Sequence, residues 1–373
     1  MPWKQVSIME QRHEFVALAR IEGANVSELC RRYGISRDTG YRWLRREDYA
    51  DRARRPHTSP SRTAPEMEAA VLAVRDDHPA WGARKIHRIL LNRGWVPPAA
   101  STIHAILERH GRIVDADRHP QAYERFEKAA PNLLWQMDFK GQFQMANGQW
   151  CWPLTIVDDH SRYALCIQAC SQQKTQTVRS WLEQTFRTYG LPAAFYVDNG
   201  PPWGGGEPGQ YTPLRVWLMK LGVEVIHAKP YHPQGRGKNE RFHRTLKREV
   251  LAARLPIDIQ RAQTEFDKWR HVYNHLRPHQ SLDMQAPVAR YRPSNRAMPD
   301  KLPEMTYNTT DILRRVPKGL PKIAFKGKLW RVPKAFMGET LAIRPSVKDG
   351  IYAVCFGAKQ IISIDLTKGQ GAL

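Results

Sequence analysis

The chain has 373 residues and carries 58 Lys and Arg against 36 Asp and Glu, a formal charge of +22. Such a length suits two to four domains, and the excess charge is far from that of an average soluble enzyme; it predicts attraction to a polyanion, usually nucleic acid, with a merely sticky or ribosome-associated protein as the bland alternative. Five scattered cysteines (Cys30, Cys151, Cys166, Cys170, Cys355) form no CxxC pair and no zinc spacing, and no apolar run nears the roughly 18 residues of a membrane span, so a cytoplasmic protein with no membrane partner is expected.

Residues 1–49 read as a helix-turn-helix unit. Val26, Leu29, Cys30 and Tyr33 recur at helical spacing, Gly34 permits a turn, and Ser36 is a good N-cap for a second helix from Arg37 to Arg46. Ile35, Tyr41 and Leu44 are expected to face a small core. That leaves Arg37, Arg42, Arg45 and Arg46 for DNA phosphates and base edges, or for a plain solvated basic face. Residues 50–65 have no periodicity and read as a basic linker.

Residues 66–130 form a second helical DNA-binding candidate. Glu66–Asp77 and Ala83–Asn92 are expected as helices, Pro97 and Pro98 interrupt, and Ser101 is expected to cap a third helix, Thr102–His110. Arg84, Lys85 and Arg88 supply its positive charge.

Residues 131–290 alternate strand and helix patterns and predict a mixed α/β sheet. Strands are expected at Leu134–Phe139, Trp150–Val157, Tyr163–Gln168, Ala194–Val197 and Val223–His227. Helices are expected at Thr175–Tyr189, Leu214–Leu221, Gly237–Ala252 and Ile259–His275. Residues 308–373 return to β: a hairpin around Gly327, then strands at Leu341–Arg344, Ile351–Phe356 and Gln360–Asp365, read as a small basic β-barrel. Its role is open between backbone contact with DNA and docking of a protein.

Three acids stand out along this order. Asp138 lies in Trp135-Gln-Met-Asp-Phe, sharing a strand face with Gln136 while Trp135, Met137 and Phe139 take the other. Asp198 ends its strand at Asn199-Gly200, where open α/β sheets place ligands. Glu240 opens a helix with Arg244 and Lys247 on its face and Phe242, Leu246 and Val250 opposite. Each has a bland reading: turn chemistry for Asp198, a first-turn acid for Glu240. As an ordered set in a strongly basic chain they predict a site for two divalent metals, about 4 Å apart, against a phosphodiester. Mg²⁺ suits an all-carboxylate site, and Mn²⁺ is a plausible substitute. Lys238, Arg241, Arg244 and Lys247 are the expected backbone contacts; from Lys229 to Arg248 seven basic residues accompany one acid, Glu240 itself. Asp159 and Arg162 read as a structural pair around a turn, and Glu249 points away from the site.

From Asn132 to Pro287 the chain resembles the catalytic core of the retroviral-integrase superfamily, as found in bacterial insertion-sequence transposases. The matching pieces are Trp135-Gln-Met-Asp138-Phe, Val157-Asp-Asp-His-Ser-Arg-Tyr163, Val197-Asp198-Asn-Gly200, the Pro230–Gly235 run before Glu240, and Tyr273–Leu282. This resemblance implies an RNase H-like fold, a DDE triad of Asp138, Asp198 and Glu240, and a homo-oligomer (dimer or tetramer) assembled on double-stranded DNA, both transposon ends and target. A bacterial, nucleoid-associated location goes with it. Two departures stand: Asp198 and Glu240 are separated by 41 residues (199–239), more than such families often carry, with the surplus placed in the Gly/Pro-rich loop from Pro201 to Gln210; and the His/Cys zinc unit of retroviral integrases is absent. The leading expectation is a transposase that binds terminal inverted repeats, cuts 3′ ends and joins them to target DNA. The alternatives are a DNA-binding regulator with a dead core, which the intact triad opposes, and a nuclease for RNA/DNA hybrids, which has little need of two DNA-reading modules.

Overall fold

The computed structural model describes residues 7–51, 63–113, 127–204, 210–228, 237–252 and 255–367. Most of the linker, the Pro230–Gly235 run and the middle of the Gly/Pro-rich loop (205–209) lie outside them. The chain divides into two compact units, 1–62 and 63–373.

The first unit is three helices: α1 (Ile8–Ala19), α2 (Val26–Arg32) and α3 (Arg37–Leu44). Ser7 and Glu10 form a reciprocal capping box that starts α1, Asn25 caps α2, and Ser36 caps α3 through Thr39 N–H, as its position predicts. The core is Phe15, Val16 and Cys30, with Ile35, Trp43 and Leu44 packed on it. Tyr41 is instead 47% exposed, beside Arg42 and Arg45: a β-branched or apolar residue at the turn, Ile35, and the ring of Trp43 already fill the space. Gly40 is required at its position, because a Cβ there would lie 2.5 Å from Cys30 Sγ and 2.9 Å from Phe15 Cζ. Gly40→Ala is therefore expected to cost this unit about 1–3 kcal/mol by overpacking, read as a lower denaturation midpoint of residues 1–62.

The second unit begins with α4 (Pro65–Asp77), α5 (Ala83–Asn92) and α6 (Ala100–Arg109) around Val71, Val74, Trp81, Ile86, Leu90, Ile103 and Leu107. Pro65 occupies the first turn of α4, where its missing N–H costs nothing. Ser101 does not cap α6: the helix begins at Ala100, right after the extended Pro97-Pro98 stretch, and Ser101 sits inside its first turn.

The central sheet orders its strands β4-β3-β1-β5-β6, with the two-residue β2 (Phe143–Gln144) paired to the end of β3. The strands are β1 (Trp135–Phe139), β3 (Trp150–Asp158), β4 (Ala164–Cys170), β5 (Ala194–Val197) and β6 (Glu224–His227). β3 pairs antiparallel with β1 and β4, while β1, β5 and β6 run parallel. Helices cover both faces. On one, α7 (Thr175–Tyr189) and α8 (Pro213–Lys220) bury Val178, Leu182, Phe186, Leu214 and Trp217 against Trp135, Met137, Leu154 and Ile156. On the other, α9 (Gly237–Leu246) and α10 (Ile259–His271) bury Phe242, Leu246, Phe266 and Trp269 against Cys151, Val157, Ala164 and Ile167. Each of these large side chains is worth about 1.5–3 kcal/mol of burial, which fixes the helices to the sheet.

The helices predicted as Gly237–Ala252 and Ile259–His275 both change to wider turns before they end, at Lys247–Leu251 and Val272–Leu276. In the second, the Asn274 side chain bonds both the N–H and the C=O of Ala164 at 2.8 and 3.0 Å, doing for β4 what a neighbouring strand would.

The tail is an antiparallel sheet ordered β12-β11-β10-β7 plus a separate hairpin β8-β9. These are β7 (Ile312–Arg315), β8 (Lys322–Phe325), β9 (Lys328–Arg331), β10 (Thr340–Pro345), β11 (Ile351–Phe356) and β12 (Lys359–Asp365). The two sheets share one core, Ile323, Phe325, Trp330, Leu341, Ile343, Val354 and Phe356. Among the described residues no strand pairing closes them into a barrel. β7, absent from the expectation, has all four residues exposed and so shows no alternation. Val216 of α8 is buried in this tail core, so α8 packs on the central sheet with one face and on the tail with the other.

Candidate active site

Strand register brings the two aspartates side by side. In the parallel pair β1–β5, Gln136 stands opposite Tyr196, so two residues on, Asp138 is level with Asp198 on the adjacent strand, about 4.8 Å away along the hydrogen-bonding direction. Alternation along β1 sends Trp135 and Met137 into the α7–α8 core and leaves Asp138 on the α9 side, with 31% of its side chain exposed.

The Asp198 end of β5 is held on both sides. Asn199 Nδ2 donates to Ala228 O at 3.0 Å, and His227 Nδ1 lies 3.1 Å from Asp198 O. Gly200 and Gly204 then exchange backbone hydrogen bonds of 2.8 and 2.9 Å, and Trp203 is buried against Phe139, the residue after Asp138. The start of the Gly/Pro-rich loop is thus packed into the sheet beside the aspartates.

Glu240 arrives on α9, exposed, in the helix's first turn. Phe242 and Leu246 anchor the helix, and its first turn is latched by Lys238, whose ammonium donates to Asp159 Oδ1 at 2.5 Å. Asp159 also accepts from Gln136 Nε2 and from Lys128 N–H, both at 2.8 Å. One turn on, His243 lies under the helix: Nε2 is 2.7 Å from Thr155 Oγ1, and Nδ1 is 4.0 Å from Asp138 Oδ2. Thr155 Oγ1 donates to the Asp138 carbonyl at 3.0 Å. Burial, reinforced by Lys140, holds the His243 imidazole down at about 4, so it is neutral at pH 7.

Two carboxylates level on adjacent strand ends, with a third on the helix over the same face, are an all-oxygen donor set suited to Mg²⁺ or Mn²⁺. Among the described residues, no group of three or more His, Cys, Asp or Glu side chains already stands close enough to hold a metal ion. The strands hold the aspartates next to each other; Glu240 stays on the solvent side of its helix.

Neighbouring acids are structural, with partners that differ from the expected ones. Arg162 pairs with Glu127 at 2.8 Å, not with Asp159. Asp158 is fully buried and accepts from Ser161 N–H, Ser161 Oγ and Asn132 N–H; burial pushes its carboxyl up, against those bonds. Glu249 pairs with Arg277 and with Trp269 Nε1, away from the site as its helical angle predicts.

Of the expected DNA-contacting cations on α9, Arg241, Arg244 and Lys247 are exposed, whereas Lys238 is committed to Asp159. In the first unit Arg37, Arg42 and Arg45 are exposed, Arg42 pairing with Asp38. Arg46 turns inward: it and Arg12 lie 4.5 and 4.2 Å from the Trp43 ring centroid, and Arg46 donates to Ala50 O. On α5, Arg84 is exposed and Arg88 partly buried. Burial, with Arg277 nearby, brings Lys85 down to about 8, so it belongs to the contact with the Tyr273–Leu282 segment rather than to an open face. Sequence reasoning missed His243, Thr155 and the Lys128–Gln136–Asp159–Lys238 latch. A histidine three residues after Glu240, on the same helical face, was the available signal for the first.

His279 offers a solution test of the core. Burial, with Arg277, Arg162, Lys85 and Arg241 around it, holds it down at about 3. The folded state therefore binds fewer protons than the unfolded one. Its stabilising contribution is complete above the unfolded value near 6.5 and is lost as pH falls from there toward 3. Denaturant midpoints are expected to fall over that range, by at most about 1.4 kcal/mol per pH unit for this group, and His279→Gln to flatten the slope.

Family comparisons cover most of the chain. The integrase core domain matches residues 128–233, and a second integrase core domain family matches 221–287. Homeodomain-like domains match 9–50 and 39–107, and the C-terminal domain of IS481 family transposases matches 313–372. Among relatives, the insertion element IS476 uncharacterized 39.2 kDa protein of Xanthomonas euvesicatoria is 25% identical over 306 residues, 79% of this chain and 82% of its own. The insertion element IS407 uncharacterized 31.7 kDa protein of Burkholderia multivorans is 27% identical over 60% of this chain and 81% of its own. Among solved structures, the integrase chain of the simian T-cell lymphotropic virus intasome, in complex with the PP2A regulatory subunit B56 gamma, aligns with a TM-score of 0.39 at 16% identity, covering 78% of this chain and 99% of that one.

Proposed function

Because the chain belongs to the IS481 family of insertion-element transposases, DDE polynucleotidyl transferases built on an integrase core, we propose that it binds the terminal inverted repeats of its element, cleaves their 3′ ends and transfers them into target DNA. Asp138, Asp198 and Glu240 are the catalytic acids in this reading. The observation that carries it is the register that sets Asp138 level with Asp198 beneath the helix bearing Glu240.

The residues divide the work. The two homeodomain-like regions, with Arg37, Arg42, Arg45 and Arg84 exposed, recognise the end DNA. Arg241, Arg244 and Lys247 hold the phosphate backbone beside the acids, one helical face away from the buried Phe242 and Leu246. The carboxylates of Asp138, Asp198 and Glu240 would hold the metal ions, two in this reading, Mg²⁺ with Mn²⁺ as a substitute. Bound there, such ions lower the pKa of an attacking water or 3′-hydroxyl and neutralise charge on the scissile phosphate. No side-chain nucleophile is needed. Two ends must be joined to one target, which calls for a homo-oligomer on the DNA.

The test is to incubate the full chain with labelled end duplexes and a supercoiled plasmid in Mg²⁺. Nicked ends and end–plasmid joined products are expected. Tight end binding without either product, in Mg²⁺ or Mn²⁺, would leave a DNA-binding regulator as the better reading.

A further inference from the structure

His243 is the one neutral, nitrogen-bearing group turned toward the acids among the described contacts of Asp138. Its tautomer follows from its neighbour. Thr155 has a single hydroxyl proton, and that proton is given to the Asp138 carbonyl at 3.0 Å. The 2.7 Å contact between Thr155 Oγ1 and His243 Nε2 must then be donated by the imidazole. The proton sits on Nε2, and Nδ1 presents a lone pair to Asp138 Oδ2 at 4.0 Å. Two acceptors facing each other repel unless positive charge lies with them. A gap of this size is about two metal–ligand bonds of ~2.0–2.1 Å.

We propose that His243 is part of the cation site, contributing Nδ1 as a nitrogen ligand beside Asp138, and that it shifts the metal preference of the site from Mg²⁺ toward Mn²⁺. The Thr155 hydroxyl is the outer partner that fixes the ring and its tautomer, as metal-bound imidazoles require of their second nitrogen. β3 supplies Thr155, β1 supplies Asp138 and α9 supplies both His243 and Glu240, so one chain of hydrogen bonds sets the helix-borne acid against the strand-borne one. A nitrogen donor favours a first-row transition ion over Mg²⁺, whose preference is for oxygen. This inference rests on the reading of Asp138, Asp198 and Glu240 as metal ligands.

Two conservative variants separate the tether from the ligand. His243→Gln keeps an N–H where Nε2 stood and loses the Nδ1 lone pair; His243→Asn places an oxygen near Nδ1 and gives up the bond to Thr155. The experiment titrates Mn²⁺ and Mg²⁺ into the full-length chain without DNA and records electron spin-echo modulation of protein-bound Mn²⁺. Expected are an imidazole nitrogen coupling in the wild type that changes with isotopically labelled histidine, its loss in both variants, and a Mn²⁺ affinity about tenfold or more weaker in His243→Gln. The unfolding midpoint of His243→Gln without metal should match the wild type. Mn²⁺ bound to the wild type without nitrogen coupling would overturn the role of His243 while leaving the carboxylate site standing, and needs no variant to fold. Mn²⁺ binding unchanged in Asp138→Asn would overturn the carboxylate reading itself.

Discussion

Asp138→Asn, Asp198→Asn and Glu240→Gln should each reduce end cleavage and joining on the order of 10³-fold or more, with end-DNA binding retained. Each change keeps the side-chain shape and removes the negative charge that a divalent ion needs. The aspartates sit at strand ends whose packing comes from neighbours: Trp135 and Met137 for β1, Phe195 and Val197 for β5. Glu240 is exposed on a helix held by Phe242 and Leu246. None of the three anchors the fold, so thermal midpoints should move little. Gel-based product assays alongside an end-binding titration check both halves. Cleavage persisting in the Asp138 and Asp198 variants would remove the acids from the mechanism.

The second large effect is expected at a residue that touches no DNA. Asp159 is 1% exposed and gathers Lys238 Nζ, Gln136 Nε2 and the Lys128 N–H. Asp159→Ala strands a partly buried ammonium and a buried amide, at a cost of about 3–5 kcal/mol, read as a drop in denaturation midpoint. Lys238→Met should cost less, because Asp159 keeps its two other donors. Catalysis should fall in both, since Lys238 stands two residues before Glu240 and sets where α9 begins. A double variant, Asp159→Leu with Lys238→Met, should recover much of the stability and none of the lost activity.

Much of this architecture was readable from residues alone. Thr175–Tyr189 and Ala194–Val197 occur with the predicted bounds, because strong helical periodicity ends at Gly190 and a short apolar run ends at an Asp-Asn-Gly turn. The opposing faces of α9 followed from the spacing of Phe242, Leu246 and Val250. Other features were invisible for identifiable reasons. The wider turns at Lys247–Leu251 and Val272–Leu276 keep a helical composition, so a fixed 100° step runs through them unnoticed. β7 gave no alternation because both its faces are exposed. The fate of individual cations depended on partners far away in sequence: Asp159 for Lys238, Trp43 for Arg46, the Arg277 neighbourhood for Lys85. Charge shows in a sequence; the partner that claims it does not. The acids were legible as a set because their order and elements are local features, whereas the His243–Thr155 contact joins positions 88 residues apart.

The double-sided helix α8 has a mechanical consequence. Leu214, Trp217 and Leu218 belong to the central core and Val216 to the tail core, and the tail is further tied by Lys220 to Glu339 at 2.6 Å and Lys359 to Glu224 at 3.7 Å. The tail therefore behaves less like a bead on a string than like a handle welded to the blade. Torque applied to it, by a second subunit or by bent DNA, is delivered through α8 to β5 and β6, the strands that border Asp198. A chain cut before Ile312 would not merely lose an accessory: it would bare the outer flank of the helix that braces the catalytic strand ends.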